Sequence, residues 1–414
     1  MKRFQRIHQI YLFAACNTLN ALLLLIVLNV LFGAFYFVRD RLKASSADAR
    51  VSEYRKRFAD YQAYTRYSLA EVNALLTEQD AMGAAGLVFE PWLQFRNPTV
   101  SGRYLNTTAL GYRATVEPQP RPGTPLKVYL FGGSTTFGYG VPDKDTIPSY
   151  LQRTLERQNP KVSFSVRNLG QAFYYSSQEQ LSFLSLLKGA DVPDWAVFID
   201  GGNDTAQLAL RHDEPIYTPA LRAMWRQRSE PAAASAMLFW HLPIGRAVRS
   251  LANRVRSGQA ASPQDEDQHR LISDDTHLTA AERAQIVDYV VSRYLTNIRI
   301  TRAICKDFEI RCLFVWQPHP AYKYDRRLHK EFPFKGPVPE YFTDIFERLE
   351  NHREPGFVYL GDLLYNRSEK SYVDDVHYNE AVNEAIAEEI SRRVRPEYRN
   401  VPKPPVSVRL SNSP

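Results

Sequence analysis

The hydrophobic pattern divides the chain into two unequal parts. No charged residue occurs between Gln9 and Val38, and the densest stretch, residues 21–38, reads ALLLLIVLNVLFGAFYFV. About 20 apolar residues at a rise of 1.5 Å per residue cross a hydrocarbon core. This segment therefore predicts one N-terminal transmembrane helix, with Phe35, Tyr36 and Phe37 as an interfacial belt. A soluble core helix is rarely apolar on every face over such a length. A cleaved signal peptide fits less well, because the run exceeds the usual apolar region and no A-x-A follows closely. Asn20 and Asn29 interrupt the span and could hydrogen-bond to a partner helix.

Beyond the span, apolar runs with strand character alternate with stretches of helical spacing. Strands are predicted at 127–131 (KVYLF), 163–169 (SFSVRNL), 195–200 (WAVFID), 311–316 (RCLFVW) and 357–360 (FVYL). Helices are predicted at 147–157, 178–187, from the capping box Thr279-x-x-Glu282 to about Cys305, at 338–349 and at 378–394. Strands alternating with helices imply a parallel sheet covered on both faces, an α/β fold. The organisation read from these signals is a basic flank and transmembrane helix over 1–43, a stalk over 44–94, a main domain over 95–395 and a Pro-rich tail over 396–414. The stalk is polar and Ala-rich up to residue 83. Residues 84–125, with Trp92, Tyr104, Tyr112 and several prolines, read as an extended lead-in packed on the main domain. Residues 205–275 form an insertion of mixed character, a lid, a membrane-facing flap or a surface excursion.

Charge changes the picture only once it is located. The 414 residues hold 52 Lys+Arg and 45 Asp+Glu, a net charge of +7. Residues 1–57 carry ten basic and three acidic side chains, which leaves 42 of each sign in the rest. The excess is a collar around the span, and the neutral body is not a nucleic-acid binder, since phosphate binding needs clustered uncompensated charge. Three basic residues precede the span and a comparable or larger number follow it, so their count leans weakly toward a cytoplasmic body. With three cysteines and no C-x-x-C or Cys/His cluster, neither a disulfide-rich scaffold nor structural zinc is indicated, and no metal or cofactor is expected. Cys305 and Cys312 bracket a helix-to-strand turn, as a bridge in an oxidising compartment or as buried thiols otherwise.

In a parallel sheet, ligands bind beyond the carboxyl ends of the strands. There the sequence places Gly132-Gly133-Ser134-Thr135-Thr136-Phe137-Gly138, then Asn168-Leu169-Gly170, then Gly201-Gly202-Asn203-Asp204, and finally Asp374-Asp375-Val376-His377. Each alone is an ordinary turn signal. Together they supply what acyl transfer needs. Ser134 would be the nucleophile on a glycine turn, His377 its general base, and Asp374 the group that orients the imidazole. The N–H groups of Ser134 and Gly170 and the amide of Asn203 could converge on an oxyanion. Asp375 could replace Asp374 as the orienting group, though the spacing favours Asp374. A second Asp-x-x-His, Asp274 to His277, precedes a long helix and two strands and is a decoy. His319, after the fourth strand, either lines the substrate cleft or is an ordinary loop histidine. A G-x-S-x-G elbow would need Gly where Thr136 stands, and a P-loop would need Lys where Tyr139 stands.

This order of blocks resembles the SGNH, or GDSL-type, hydrolase superfamily over roughly residues 95–393. Gly132 to Gly138 matches its first block, Gly170 the second, Gly201-x-Asn203-Asp204 the third and Asp374-x-x-His377 the last. Gly133 departs from the family's Asp at a position that is not the nucleophile. Leu110-Gly111-Tyr112-Arg113 is similar to a lead-in of membrane-anchored bacterial members. The resemblance implies a three-layer α/β/α sandwich with a five-stranded parallel sheet. It also implies a serine esterase or acyltransferase acting on acyl groups, often acetyl on carbohydrate, without metal. An inner-membrane anchor with an extracytoplasmic domain acting on an envelope glycan follows by analogy. The competing expectation is a non-catalytic glycan-binding or assembly component of a polysaccharide complex.

Overall fold

The computed structural model describes residues 2–58, 60–210, 242–245, 278–328 and 340–397. The chain divides into two compact units, one of Met1–Lys56 with Pro219–Arg270 and one of Arg57–Thr218 with Leu271–Pro414. In the first unit, helix α1 (Lys2–Phe58) contains a segment, Phe4–Arg39, long and apolar enough to cross a membrane, its most apolar 18-residue stretch having a mean hydropathy of 2.6.

The second unit is built on five parallel strands, β3 (Leu126–Gly132), β4 (Phe164–Asn168), β5 (Trp195–Asp200), β6 (Arg311–Trp316) and β7 (Phe357–Tyr359). Their order across the sheet is β4-β3-β5-β6-β7. The central strands β3 and β5 are buried on both faces along nearly their whole length, as a doubly covered parallel sheet requires. Leu126, Val128 and Leu130 of β3 join one core with α4 (Ile147–Gln158) and α9 (Glu380–Ser391), through Leu151, Leu155, Val382 and Ile386. Tyr129 and Phe131 face the other core, formed with α5 (Ser176–Lys188), α7 (Ala280–Asp307) and α8 (Glu340–Glu350), through Phe183, Tyr294 and Phe346. This is the three-layer sandwich expected from the alternation. The Thr279–Glu282 capping box opens α7 as read from the sequence. Cys305 at the end of α7 and Cys312 in β6 are disulfide-bonded, with Cα atoms 6.4 Å apart.

The chain leaves β3 toward β4 on one side and returns to β5 on the other. The crevice where the connections diverge lies beyond the carboxyl ends of β3 and β5. Ser134 and Asn203 follow those two strands, in the short helices α3 (Ser134–Phe137) and α6 (Gly202–Leu210).

The stretch from residue 60 to 94, assigned to the stalk from its polar composition, is part of the body. Helix α2 (Leu69–Ala85) opens with a Ser68–Glu71 capping box and buries Val72, Leu75 and Leu76 with Tyr104 and Val373. The hairpin β1 (Val88–Glu90) and β2 (Gln94–Arg96) follows, with Phe95 buried. The polar side chains of α2 that suggested a stalk are satisfied on the body instead. The Glu78 carboxylate accepts from the N–H groups of Arg103, Tyr104 and Leu105, and Gln79 Oε1 accepts from Gly140 N.

Candidate active site

Three close approaches shape the turn after β3. Gly133 caps α3, and a Cβ there would meet Asn203 Nδ2 at 2.4 Å and the Tyr174 carbonyl at 3.0 Å. This crowding leaves no room for a side chain at position 133 in the present arrangement. A Cβ on Gly170 would meet the Phe137 N at 2.4 Å, so glycine lets the β4 turn lie against the backbone of α3. Gly138 ends α3 at φ 87°, in the left-handed region that favours glycine.

The last block forms a tight loop. Asp374 Oδ1 accepts from Val376 N at 3.0 Å and His377 N at 2.8 Å. The carboxylate also receives His377 Nδ1, at 2.9 Å from Oδ1 and 2.7 Å from Oδ2. A carboxylate only accepts, so Nδ1 carries the ring proton and Nε2 offers its lone pair. That nitrogen lies 2.8 Å from Ser134 Oγ. Residues 243 positions apart are thus joined in one chain of hydrogen bonds from carboxylate through imidazole to hydroxyl. The Tyr139 ring lies against the imidazole, 4.7 Å between centroids. Asp374, Asp375 and His377 offer donors close enough to one another for a cation. In this arrangement both ring nitrogens of His377 are engaged by hydrogen bonds, Nδ1 by Asp374 and Nε2 by Ser134.

The charges are organised around this chain. Burial alone would raise the Asp374 carboxyl, but the charge and hydrogen bonds of His377, with the Val376 N–H, hold it below the ordinary carboxylate range. Burial alone would lower His377, but the Asp374 charge and hydrogen bond, with Asp375, raise it above the usual imidazole value. Asp375 makes no such contact with the ring. Burial and the neighbouring Asp374 push it up to about 7.

Of the three expected oxyanion donors, Ser134 and Asn203 both lie at the turn after β3. Ser134 opens the first turn of α3, where a backbone N–H has no intrahelical acceptor. Asn203 Nδ2 gives one proton to the Tyr174 carbonyl at 2.7 Å and keeps its second beside Gly133. The third differs from the expectation. The Gly170 N–H donates to Asn168 Oδ1 at 3.0 Å, and Asn168 Nδ2 in turn binds the carbonyls of Thr136 and Phe137. Gly170 serves the site here by admitting α3. His319 is buried and packs on Phe342, with its Nδ1 accepting from Ala321 N. It backs the Gly202 turn, 3.0 Å from where a Cβ would sit. The decoy Asp274 and His277, and all of the 205–275 insertion except its first residues and 242–245, lie outside the described residues.

Sequence reasoning passed over several supporting groups. Gln317 Oε1 accepts from Thr135 Oγ1 at 2.7 Å and lies 3.2 Å from Tyr378 OH, whose proton it shares with the closer Pro318 carbonyl, so the residues after the serine and after the histidine meet at one amide. Its place after β6 was a usable signal. Arg113, in the lead-in tetrapeptide, is buried, pairs with Asp143 and donates to the carbonyls of Gly138 and Val141. Behind Asn203, Asp204 accepts from Ser176 Oγ at 2.5 Å. Burial pushes Asp204 up to about 6, and burial with mutual repulsion raises Asp200 and Glu179 further. A cavity of about 560 Å³ lined by Glu350, Arg353, Tyr359 and Arg393 includes none of the residues at the carboxyl end of β3.

No family model matches the chain, and no curated protein does. Solved structures are similar to it. One is a lipase from a goat rumen metagenome, 14% identical, covering 66% of this chain and 98% of its own, with a TM-score of 0.36. Another is a GDSL-like lipase from Bacteroides thetaiotaomicron, 13% identical, covering 65% and 88%, with a TM-score of 0.30. A third is an acetyl-xylooligosaccharide esterase from Geobacillus, 12% identical, covering 69% and 100%, with a TM-score of 0.35. The functional reading rests on the site's own geometry.

Proposed function

We propose that the protein is a membrane-anchored serine esterase or acyltransferase of the SGNH type. The observation that carries this is the continuous hydrogen-bonded chain Asp374–His377–Ser134, with Ser134 Oγ 2.8 Å from His377 Nε2. In this reading His377 Nε2 takes the proton of Ser134 as Oγ adds to an ester carbonyl. Negative charge develops on the former carbonyl oxygen, faced by the Ser134 N–H and the free proton of the Asn203 amide. One such donor is worth about 10²–10³ in rate. The intermediate collapses, and His377 returns the proton to the leaving alcohol. His377 then deprotonates water, giving hydrolysis, or an acceptor hydroxyl, giving transfer. Asp374 stabilises the imidazolium in both halves without itself being protonated.

The substrate we infer is an O-acylated glycan of the cell envelope. The anchor supports it, since it would hold the enzyme beside such polymers, as does the sequence resemblance. The Cys305–Cys312 bond supports an extracytoplasmic body, because disulfides persist in oxidising compartments. We weigh it above the charge count around the span, which leans weakly toward a cytoplasmic body. A fluorophosphonate probe applied to membranes containing the full chain should label the wild type and not Ser134→Ala. Labelling that survives in S134A would move the nucleophile elsewhere. An unlabelled wild type would favour a non-catalytic glycan-binding component.

A further inference from the structure

The chain that follows helix α1 is bound to both sides of the Ser134–His377 pair. Helix α1 ends at Phe58, and Asp60 then caps a 3₁₀ turn, Tyr61–Ala63, by accepting from Gln62 N at 3.0 Å. Asp60, Ala63 and Tyr64 are buried, and Ala63 and Tyr64 pack in one cluster with Val373. A simple spacer would need no such burial.

Most of its bonds go to the loop that carries the base. Asp60 N donates to the Val373 carbonyl at 2.7 Å, and the Asp60 carboxylate pairs with Lys370. Asn379 Nδ2 donates to the Ala63 carbonyl at 3.1 Å. Glu380 Oε1 accepts from Thr65 N at 2.9 Å, Thr65 Oγ1 at 2.9 Å and Arg66 N at 3.0 Å. Val373 and Asn379 belong to the His377 turn itself. Val373 N donates to the His377 carbonyl at 2.8 Å, and Asn379 N to the Ser371 carbonyl at 2.9 Å. The base is therefore held before and after its own position by one short segment.

The same segment reaches the nucleophile's side. Tyr64 OH donates to the Gly140 carbonyl at 2.7 Å, and Gly140 N donates to Gln79 of α2 at 2.6 Å. Gly140 adjoins Tyr139, whose ring lies against the His377 imidazole. A Cβ on Gly140 would meet Val373 Cγ2 at 2.5 Å, so the two loops touch at this glycine, which has φ 84°. These bonds end on the backbone that carries the reacting groups. His377 sits in an irregular loop between β7 and α9, outside the sheet ladder.

We propose that Asp60–Arg66 is a positioning strap that sets the approach of His377 to Ser134, with Tyr64 and Glu380 as its positioning residues. The chain joining the anchor to the body is then part of what makes the site work. This rests on the reading of Ser134 as nucleophile and His377 as base.

The test uses the full chain, p-nitrophenyl acetate as substrate, and fluorophosphonate labelling to completion to count active sites. Glu380→Ala removes the acceptor of three strap bonds, Glu380→Gln keeps an oxygen for them, and Tyr64→Phe removes only the bond to Gly140. Small displacements of reacting groups are costly, so kcat per labelled site should fall about 10-fold in E380A and about threefold in Y64F, with KM within about twofold. E380Q should return to within about twofold of the wild type, because its amide oxygen still accepts. A loss of labelled sites with kcat per site unchanged marks a purely structural role and overturns the proposal. So does kcat per site within about twofold of the wild type in E380A and unchanged in Y64F. Wild-type turnover that disappears in S134A upholds the functional reading whatever the strap variants show. A wild type that neither hydrolyses the ester nor takes the label overturns that reading, and the strap's role with it.

Discussion

Gln317 Oε1 accepts the hydroxyl proton of Thr135 at 2.7 Å, directly beside the nucleophile. The same oxygen lies 3.2 Å from Tyr378 OH, directly beside the base, and shares its proton with the closer Pro318 carbonyl. One buried amide therefore helps to hold the two halves of the Ser134–His377 pair. Gln317→Leu removes both bonds without touching substrate. A small displacement of reacting groups can cost as much as ~10²-fold. We expect kcat on a soluble ester to fall about 10-fold or more with KM within about twofold. Gln317→Glu, which keeps an acceptor oxygen, should recover part of the loss. Steady-state kinetics of the two variants check this, and a loss confined to KM would contradict it.

The pH dependence has a defined sign. Catalysis needs neutral His377, whose pKa is raised above that of free imidazole chiefly by Asp374 against the effect of burial. The acidic limb of kcat/KM should have its midpoint above about 6.5. Asp374→Asn should move the midpoint down and lower the rate by as much as ~10⁴. A pH profile of each protein decides.

Asp375 predicts the opposite kind of effect, on stability. Its folded-state pKa is raised to about 7, so it favours the folded state below its ordinary range near 3.8, and that contribution is lost as the pH rises through about 7. Asp375→Asn should therefore raise thermal stability at pH 8 and leave it nearly unchanged near pH 4. Melting curves at the two pH values test this.

Arg113 is buried with Asp143 as its counter-ion, and its other donors hold the Gly138–Val141 turn beneath Tyr139. Removing one partner of a buried pair leaves an uncompensated charge, at a cost of about 3–5 kcal/mol. Asp143 is partly exposed, so Asp143→Asn should fall near the lower end of that range in denaturant unfolding of the body.

The three cysteines divide by environment. Cys305 and Cys312 are bonded and Cys16 is free. Alkylation of denatured protein taken directly from cells should modify one cysteine without reductant and three with it. Three modified cysteines without reductant would place the body in a reducing compartment.

The sheet was legible because burial on both faces writes continuous apolar runs such as WAVFID, and the observed β5 and β6 coincide with the runs read from sequence. Three of the four candidate blocks follow a strand directly, after β3, β4 and β5, whereas Asp374–His377 lies 15 residues beyond the end of β7 and was read from its Asp-x-x-His spacing. Helix α2 was not. It meets the body through Leu75 and Leu76 together with polar anchors such as Glu78 and Gln79, whose partners lie 25 to 61 residues away. The commitment of the Gly170 N–H was hidden for a similar reason. A glycine after a strand looks the same whether its amide faces a ligand or, as here, the Asn168 side chain two residues back.

In the proposed reaction Ser134 carries the acyl group between donor and acceptor. Peptide mapping by mass spectrometry, after brief reaction of the full chain with p-nitrophenyl acetate and acid quench, reads that acyl group directly. One acetyl group is expected on Ser134, absent from Ser134→Ala and absent from His377→Ala on the same timescale. Acetylation at another residue, or release of p-nitrophenol at the wild-type rate by Ser134→Ala, would contradict it.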